Sequence, residues 1–382
     1  MPIPSLKNHI VLVSRQALPS LLGASLPGRE PARIHAIVTP AMRREGRLLA
    51  RALAARGRRC TLEEYLLHNS ADQDAIHDLL EKIRAACHGE SLGINLTGGT
   101  KLMALAAAEW AQVFEVPAFY IDTDGEQVIR VGSHWSYARL PDVLSVRGLL
   151  AANGFDMESA EAEPVAARRR EALRRLLELA CSPGGERALG RLNGLTQAAL
   201  WSSLCVRDDG PATGAWRELL AICEAEGTAR AGDGYLAFPD EAARRWCNGG
   251  WFEEYVRMTL YRLKSAQRIR DFAASVSVRR EGVLNELDAV FTARNRLFTI
   301  ECKTSIMADR EGGRSGQAVS ALYKLDSLHD RLGGVFARAM LCSVRPLEDK
   351  DKERARTMGV RVVCGRDLLS LEEKLVTWSA EA

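Results

Sequence analysis

Short apolar runs alternate with stretches of helical periodicity along the first 150 residues, and this alternation restricts the fold more than any other feature of the chain. His9–Ser14, Ile34–Thr39, Ser91–Leu96, Ala118–Asp122 and Gln127–Val131 read as strands. Between them, Ala41–Arg56 brings Leu48, Leu49, Ala52 and Leu53 to one side. Asp72–Cys87 does the same with Ile76, Leu79, Leu80 and Ile83, and Lys101–Phe114 reads as a third helix. Parallel strands need long crossovers, and helices supply them. The pattern therefore predicts a parallel sheet covered by helices, a Rossmann-like α/β layout over residues 1–150.

The pattern then breaks. Ala151–Pro164 is acidic and weakly periodic, as in a linker. Arg168–Ala180 carries a stripe of Leu173, Leu176, Leu177 and Ala180 beneath five arginines. Helical patterns at Leu195–Cys205 and Thr213–Glu226 follow, then glycine-marked extended pieces over Ala229–Phe238. Three helices and a hairpin outline a small winged-helix-like middle region over 165–245, with a plain helical connector as the alternative. From Gly249 the chain reads as a second α/β domain spanning 249–382. Its helices are Trp251–Lys264, Ser315–Leu332, a short one, and Leu368–Trp378. Its strands are Ser275–Arg279, Asn285–Thr292, Arg296–Lys303, Ala337–Val344 and Val360–Cys364.

Composition excludes several classes of protein. At 382 residues with 47% hydrophobic and 26% charged residues, the chain is neither disordered nor too small for a core. No run approaches the ~18 apolar residues of a membrane span, and the start lacks a basic, signal-like region. The nine cysteines are scattered without a Cys-x-x-Cys pair, which excludes a zinc ribbon, argues against a disulfide scaffold and fits a reducing cytoplasm. A formal net charge of +3 means that nucleic-acid contact must come from local patches.

The densest chemistry lies in Asn285–Phe291 and Phe298–Lys303. Alternate strand residues share a face, so Glu286 and Asp288 are neighbours, as are Glu301 and Lys303. A loop at Ala293–Arg296 sets Asp288 opposite Glu301 and Glu286 opposite Lys303. Cross-strand Cβ atoms are then about 4.5–5.5 Å apart. Two carboxylates at that spacing repel, and a hard divalent cation, Mg²⁺ or Mn²⁺, relieves the repulsion. Such an ion activates water, and Lys303 is placed to orient that water or to neutralise developing charge. The alternative is a solvated hairpin face with a Glu286–Lys303 ion pair. On the preceding helix Glu253 borders the apolar stripe while Glu254 points nearly opposite, so Glu253 is the better further acid. Gly249-Gly250 lets the chain turn closely there.

A second motif, Asn95-Leu96-Thr97-Gly98-Gly99-Thr100-Lys101, runs from a strand into a helix. Glycines permit close backbone approach, and the helix start offers free N–H donors to an anion. It is neither a Walker A loop nor Gly-x-Gly-x-x-Gly. Ser14-Arg15-Gln16 and Thr39-Pro40-Ala41 end the first two strands, at the sheet edge where open α/β folds bind ligands.

With both motifs in this order, the chain resembles the CRISPR-associated Rossmann-fold (CARF) nucleases that carry a C-terminal PD-(D/E)xK domain of restriction-endonuclease type. The resemblance rests on Asn95–Lys101 and on Glu253, Asp288 and Glu301-Cys302-Lys303, without the frequent proline before Asp288. It implies a type III CRISPR accessory effector, a homodimer whose paired CARF domains bind a cyclic oligoadenylate, the tetra-adenylate first. Ring binding would switch on metal-dependent cleavage of DNA, RNA or both. It further implies ligand contacts at Thr97, Gly98, Gly99, Thr100 and Lys101, with Ser14, Arg15 and Thr39 in the adjoining loops. A ligand-sensing winged-helix transcription regulator and a constitutive repair nuclease are the competing readings.

Overall fold

The first sheet is built around β1 (Asn8–Leu12), whose five residues are all buried because helices cover both faces. In the computed structural model, which describes residues 3–55, 60–199, 204–304, 320–326, 332 and 336–381, the chain forms two compact units. The first is Met1–Met157 with Arg279–Gly282, and the second is Glu158–Val278 with Val283–Ala382.

In the first unit β1 pairs in parallel with β2 (Arg33–Val38) on one side and β4 (Leu92–Asn95) on the other. β3 (Thr61–Leu66) extends the parallel set beyond β2, and β5 (Ala118–Asp122) extends it beyond β4. β6 (Gln127–Val131) and β7 (Ser136–Arg139) complete the sheet in antiparallel fashion, in the order β3-β2-β1-β4-β5-β6-β7. The helices are α1 (Leu18–Gly23), α2 (Arg43–Ala54), α3 (Gln73–Ala86), α4 (Lys101–Val113) and α5 (Val146–Ala152). Ile76, Leu80 and Ile83 of α3 and Met103, Ala107 and Trp110 of α4 pack on Ile10, Leu12 and Ile94. Each fully buried Ile, Leu or Met side chain among these contributes about 1.5–3 kcal/mol.

The acidic stretch read as a linker instead contains β8 (Asp156–Glu161), the edge strand of the second unit's sheet. Its side chains are mostly exposed, so backbone pairing rather than apolar burial makes it a strand. Next come α6 (Ala167–Ala180), α7 (Gly185–Ala199), β9 (Cys205–Arg207), α8 (Gly214–Ala225), β10 (Arg230–Gly232) and β11 (Tyr235–Ala237). The helix expected over Leu195–Cys205 thus lies earlier. Its buried face (Ala188, Leu189, Leu192, Asn193, Thr196) mixes polar and small residues and hides the period. The three short strands pair in the order β10-β11-β9.

After α9 (Glu241–Arg245) and a kinked turn, α10 (Trp251–Ser265) leads into β12 (Asp271–Arg280), β13 (Val283–Ala293) and β14 (Arg296–Lys303). Residues 320–326 are helical (α11), while the rest of the helix expected over Ser315–Leu332 lies outside the described residues, Leu332 apart. β15 (Ala337–Ser343), α12 (Asp349–Thr357), β16 (Val360–Cys364) and α13 (Leu371–Glu381) follow, giving a six-stranded sheet β16-β15-β14-β13-β12-β8. A shared core joins the middle helices to this sheet: Leu173, Trp216 and Ile222 belong to the same cluster as Phe252, Phe291 and Phe298.

The β13–β14 hairpin positions the acids. Arg294 and Asn295 both adopt positive φ, 51° and 58°, as a two-residue turn matching strand twist requires. Pairing then runs from Ala293 opposite Arg296 to Ala289 opposite Ile300, the expected register. It is locked by Phe291 stacked on Phe298 at 4.5 Å, with Trp378 of α13 edge-on to both. A one-residue slip would turn this aromatic pair out of the core.

Candidate functional site

The β13–β14 ladder stops one pair short of the acids. Bonding alternates along an antiparallel pair, so Cys302 N–H would next meet the Leu287 carbonyl. It donates instead to Asp288 Oδ2 at 2.7 Å. Asp288 is thereby turned toward β14 and Glu301, although not as a ladder partner. Glu286 is exposed, and among the described residues it makes no ion pair with Lys303. Lys303 Nζ donates to Glu301 Oε1 at 2.6 Å.

Glu253 sits in the first turn of α10 and adds a third acid. Its neighbour Glu254 points elsewhere, accepting from Trp246 Nε1 at 2.8 Å and pairing with Arg169 and Arg257. The helix approaches closely because Gly249, at φ 123°, lies against Thr304, which follows Lys303. A Cβ there would come within 2.9 Å of the Thr304 hydroxyl.

The electrostatics are those of carboxylates held out of water. Burial and then the charge of Asp288 push Glu253 up to about 7. Burial and the facing Glu301 likewise raise Asp288, against the pull of Lys303 and the Cys302 N–H. Burial works against the charge of Lys303, yet Glu301 and Asp288 outweigh it and hold its pKa above the ordinary lysine value. Glu301 is only 4% exposed, and its oxygens accept from two ammonium groups, Lys303 and Lys324 of α11. Lys324 escaped the sequence reading because it lies 21 residues beyond Lys303, with no local motif.

Among the described residues, no three carboxylate, imidazole or thiolate groups close on one point as a complete metal cage. Mg²⁺ and Mn²⁺ do not require one, since a single carboxylate or a pair, with phosphate oxygens and water, suffices. Asp288 and Glu301 fit that donor set, and the ammonium groups at Glu301 mark where positive charge is already drawn.

The glycine loop lies at the carboxyl edge of the first sheet. Gly98 packs on the end of β1, where a Cβ would fall 1.9 Å from the Leu12 carbonyl oxygen and 3.5 Å from the Ser14 hydroxyl. Gly99 takes φ +73°. Thr97 donates its hydroxyl to Asn95 Oδ1 at 2.6 Å and accepts from Ile121 N–H at 2.7 Å. Thr100 caps α4 by accepting from Met103 N–H. Both hydroxyls therefore hold the loop's shape. Lys101 and Arg15 are exposed, with Ser14 and Thr39 half-buried beside them.

Residues 8–147 match the family described as the Card1 CARF domain, and residues 240–382 match the Card1-like endonuclease domain. This chain is a CARF-domain endonuclease. Protein VC1899 from Vibrio cholerae is 25% identical in sequence, with a TM-score of 0.82 over 98% of both chains. Can2 from Sulfobacillus thermosulfidooxidans, solved with cyclic tetra-adenylate, is also 25% identical, with a TM-score of 0.76 over 97% of this chain and 99% of that one. A type III CRISPR defence DNA nuclease activated by cyclic oligoadenylate shares the fold at 20% identity and a TM-score of 0.54, over 94% of this chain and 50% of that one. A search of curated proteins gives no match. The CARF domain contains the glycine loop, and the endonuclease domain contains every acid of the cluster, a domain type that depends on divalent metal. The reading as a regulator without catalysis gives way to this. Among the described residues no helix of the CARF endonuclease is long and apolar enough to cross a membrane.

Proposed function

We propose that this chain is a type III CRISPR accessory effector that cuts DNA, RNA or both when a cyclic oligoadenylate, the tetra-adenylate first, binds its CARF domain. The observation that carries the cutting half is the cluster of Glu301, buried, with Glu253 and Asp288, half-buried, beside Lys303. A divalent cation would relieve the mutual repulsion of these acids. The likeness to Can2 across almost the whole chain supports the choice of ring. Sensing is assigned to residues 1–150 and cutting to 249–382, with 165–245 as the connector. The exposed face of α8 mixes Arg217 with Glu218 and Glu224, which gives little support to a duplex-reading role for that connector.

Asp288 and Glu301 would hold Mn²⁺ or Mg²⁺, which supplies an activated water and charge stabilisation at the scissile phosphate. Around it, Lys303 is anchored on Glu301 and presents its ammonium where charge develops on the phosphoryl oxygens. Glu253, with its pKa near 7, is poised to take a proton from the attacking water. Glu286, exposed, adds its negative charge to the field at Glu253.

At the other edge, the backbone N–H groups around Gly98 and Gly99 and the cations Lys101 and Arg15 would receive the ring's phosphates, flanked by Ser14 and Thr39. Thr97 and Thr100 shape that cradle. A ring of two-fold symmetry suits an isologous dimer. Leu102, Leu105 and Val113 share one face of α4 and are 55%, 67% and 69% exposed. Beside them Tyr120, Ile129 and Tyr137 form one cross-strand row. A second copy seated on this face would bring two glycine loops together, since Leu102 directly follows Lys101. Nine free cysteines support a reducing cytoplasm as the site of action.

The test is incubation of the purified full chain with labelled DNA and RNA, Mn²⁺ or Mg²⁺, and each cyclic oligoadenylate in turn. Cleavage should require both metal and ring, and Glu301→Ala should abolish it while ring binding survives. Cutting by Glu301→Ala at the wild-type rate would refute the site, and cutting without any ring would favour a constitutive repair nuclease.

A further inference from the structure

Glu301 holds more positive charge than one carboxylate needs. Lys303 reaches Oε1 alone, whereas Lys324 straddles the group, 3.1 Å from Oε1 and 2.9 Å from Oε2. One lysine neutralises one carboxylate. The second therefore serves the surplus negative charge of the cluster. The two lysines also differ in freedom. Lys303 is mounted on a central strand with its side chain 31% exposed, while the Lys324 side chain, on α11, is 41% exposed. An ammonium is a compact point charge on a flexible stem, without the planar fork that ties arginine to a carboxylate. It can leave at little conformational cost.

We infer that Lys324 is a resident counter-cation that occupies the divalent ion's place on Glu301 and, once displaced, moves its charge to a phosphate of the nucleic acid. This rests on the reading of Glu301 as a metal-holding group. A divalent cation on Glu301 would compete with the Lys324 ammonium for the same carboxylate oxygens, and two positive charges repel strongly at contact distance. Before the metal arrives, the Lys324 ammonium holds Glu301 in place through both carboxylate oxygens. The freed ammonium then stands beside the site that receives substrate. Lys324 is thus a positioning residue toward the metal.

The experiment titrates Mn²⁺ by calorimetry into chelator-stripped full chain without activator, comparing wild type with Lys324→Met, Lys324→Arg and Glu301→Gln. Lys324→Met should bind Mn²⁺ about tenfold more tightly, the scale on which partners of metal ligands move affinity. Lys324→Arg, which keeps the charge on the same half-exposed helix position, should bind no more tightly than wild type. With saturating Mn²⁺ and activator, Lys324→Met should raise the KM for nucleic acid. Mn²⁺ affinity unchanged or weakened in Lys324→Met overturns the exchange, and an unchanged KM overturns the transfer to phosphate. Loss of Mn²⁺ binding in Glu301→Gln alongside equal affinities for wild type and Lys324→Met would sink the Lys324 inference alone. Undiminished binding by Glu301→Gln would sink the metal reading of the site with it.

Discussion

The glycine loop and the acid cluster are both polar sites at strand ends, yet one is internally satisfied and the other is not. In the loop, Thr97 and Thr100 direct their hydroxyls into the loop's own hydrogen bonds, and the Asn95 side chain ties the backbone. What remains for a ligand is backbone N–H groups and a few outward cations. In the acid cluster, Glu253 and Asp288 are both raised, and the charges that face them do not cancel. A site that waits for a large anion can be relaxed beforehand, because it recognises shape. A site that waits for a small hard cation has to keep its repulsion in hand.

The largest effects should come from abolishing that repulsion. Asp288→Asn leaves an oxygen to accept the Cys302 N–H but removes the charge facing Glu301. We expect cleavage to fall on the order of 10²–10³-fold, as when one preorganised charge-stabilising group is lost. The metal-free protein should meanwhile become more stable, with Tm rising about 2–4 °C for each kcal/mol of repulsion relieved in a unit of this size. Activity assays beside thermal unfolding in chelator check this. A variant that loses activity and stability together would show that the cluster is no more strained than the loop.

The two units should also respond oppositely to acid. His9 of β1 is 1% exposed with neither ring nitrogen partnered among the described residues, and burial lowers its pKa from 6.5 to about 4. Above pH 6.5 it is neutral in both states and contributes nothing. Between pH 6.5 and 4 the unfolded chain takes a proton that the native one refuses, so the first unit loses up to about 3 kcal/mol. Glu253 runs the other way. Its native pKa of about 7 exceeds the ordinary 4.5, so native protein binds the proton more tightly. That contribution is fully present below pH 4.5 and disappears as pH rises through 7. Urea unfolding of the chelated protein at several pH values, with proteolytic mapping of which unit opens, reads both signs. If both units weaken in parallel on acidification, the contrast fails.

Most of this architecture was legible because apolar periodicity survives wherever a face is buried. β1, β2, β4, β5 and β14 were read to within two residues, and the hairpin register followed from loop length. The elements that escaped are of two kinds. α1 and α5 are almost wholly buried but only six and seven residues long, too short to show a helical period, and the others face water. β3 (Thr-Leu-Glu-Glu-Tyr-Leu) and β8 are polar edge strands held by backbone pairing, to which hydrophobic spacing is blind. Within the site, Asp288, Glu301, Lys303 and Glu253 could be gathered by strand and helix geometry. The ladder's early end could not, because it depends on the Asp288 side chain outcompeting a backbone carbonyl. Lys324 could not either, since only tertiary folding brings α11 to Glu301.

The smallest effects lie in the loop, where they separate its shape from its charge. Gly98→Ala forces a Cβ into the Leu12 carbonyl oxygen, a backbone contact that cannot swing away, and should cost about 1–3 kcal/mol, as overpacking does. Thr100→Ala removes the cap of α4 and should cost about 1 kcal/mol. Lys101→Ala, at an exposed position in the first turn of that helix, should leave the unfolding midpoint unchanged within error yet weaken binding of the cyclic oligoadenylate. Denaturant titration and ring-binding assays on the three variants decide the matter. If Lys101→Ala destabilises the unit as much as Thr100→Ala does, its ammonium belongs to the fold, and the loop has no cation held in reserve for a ligand.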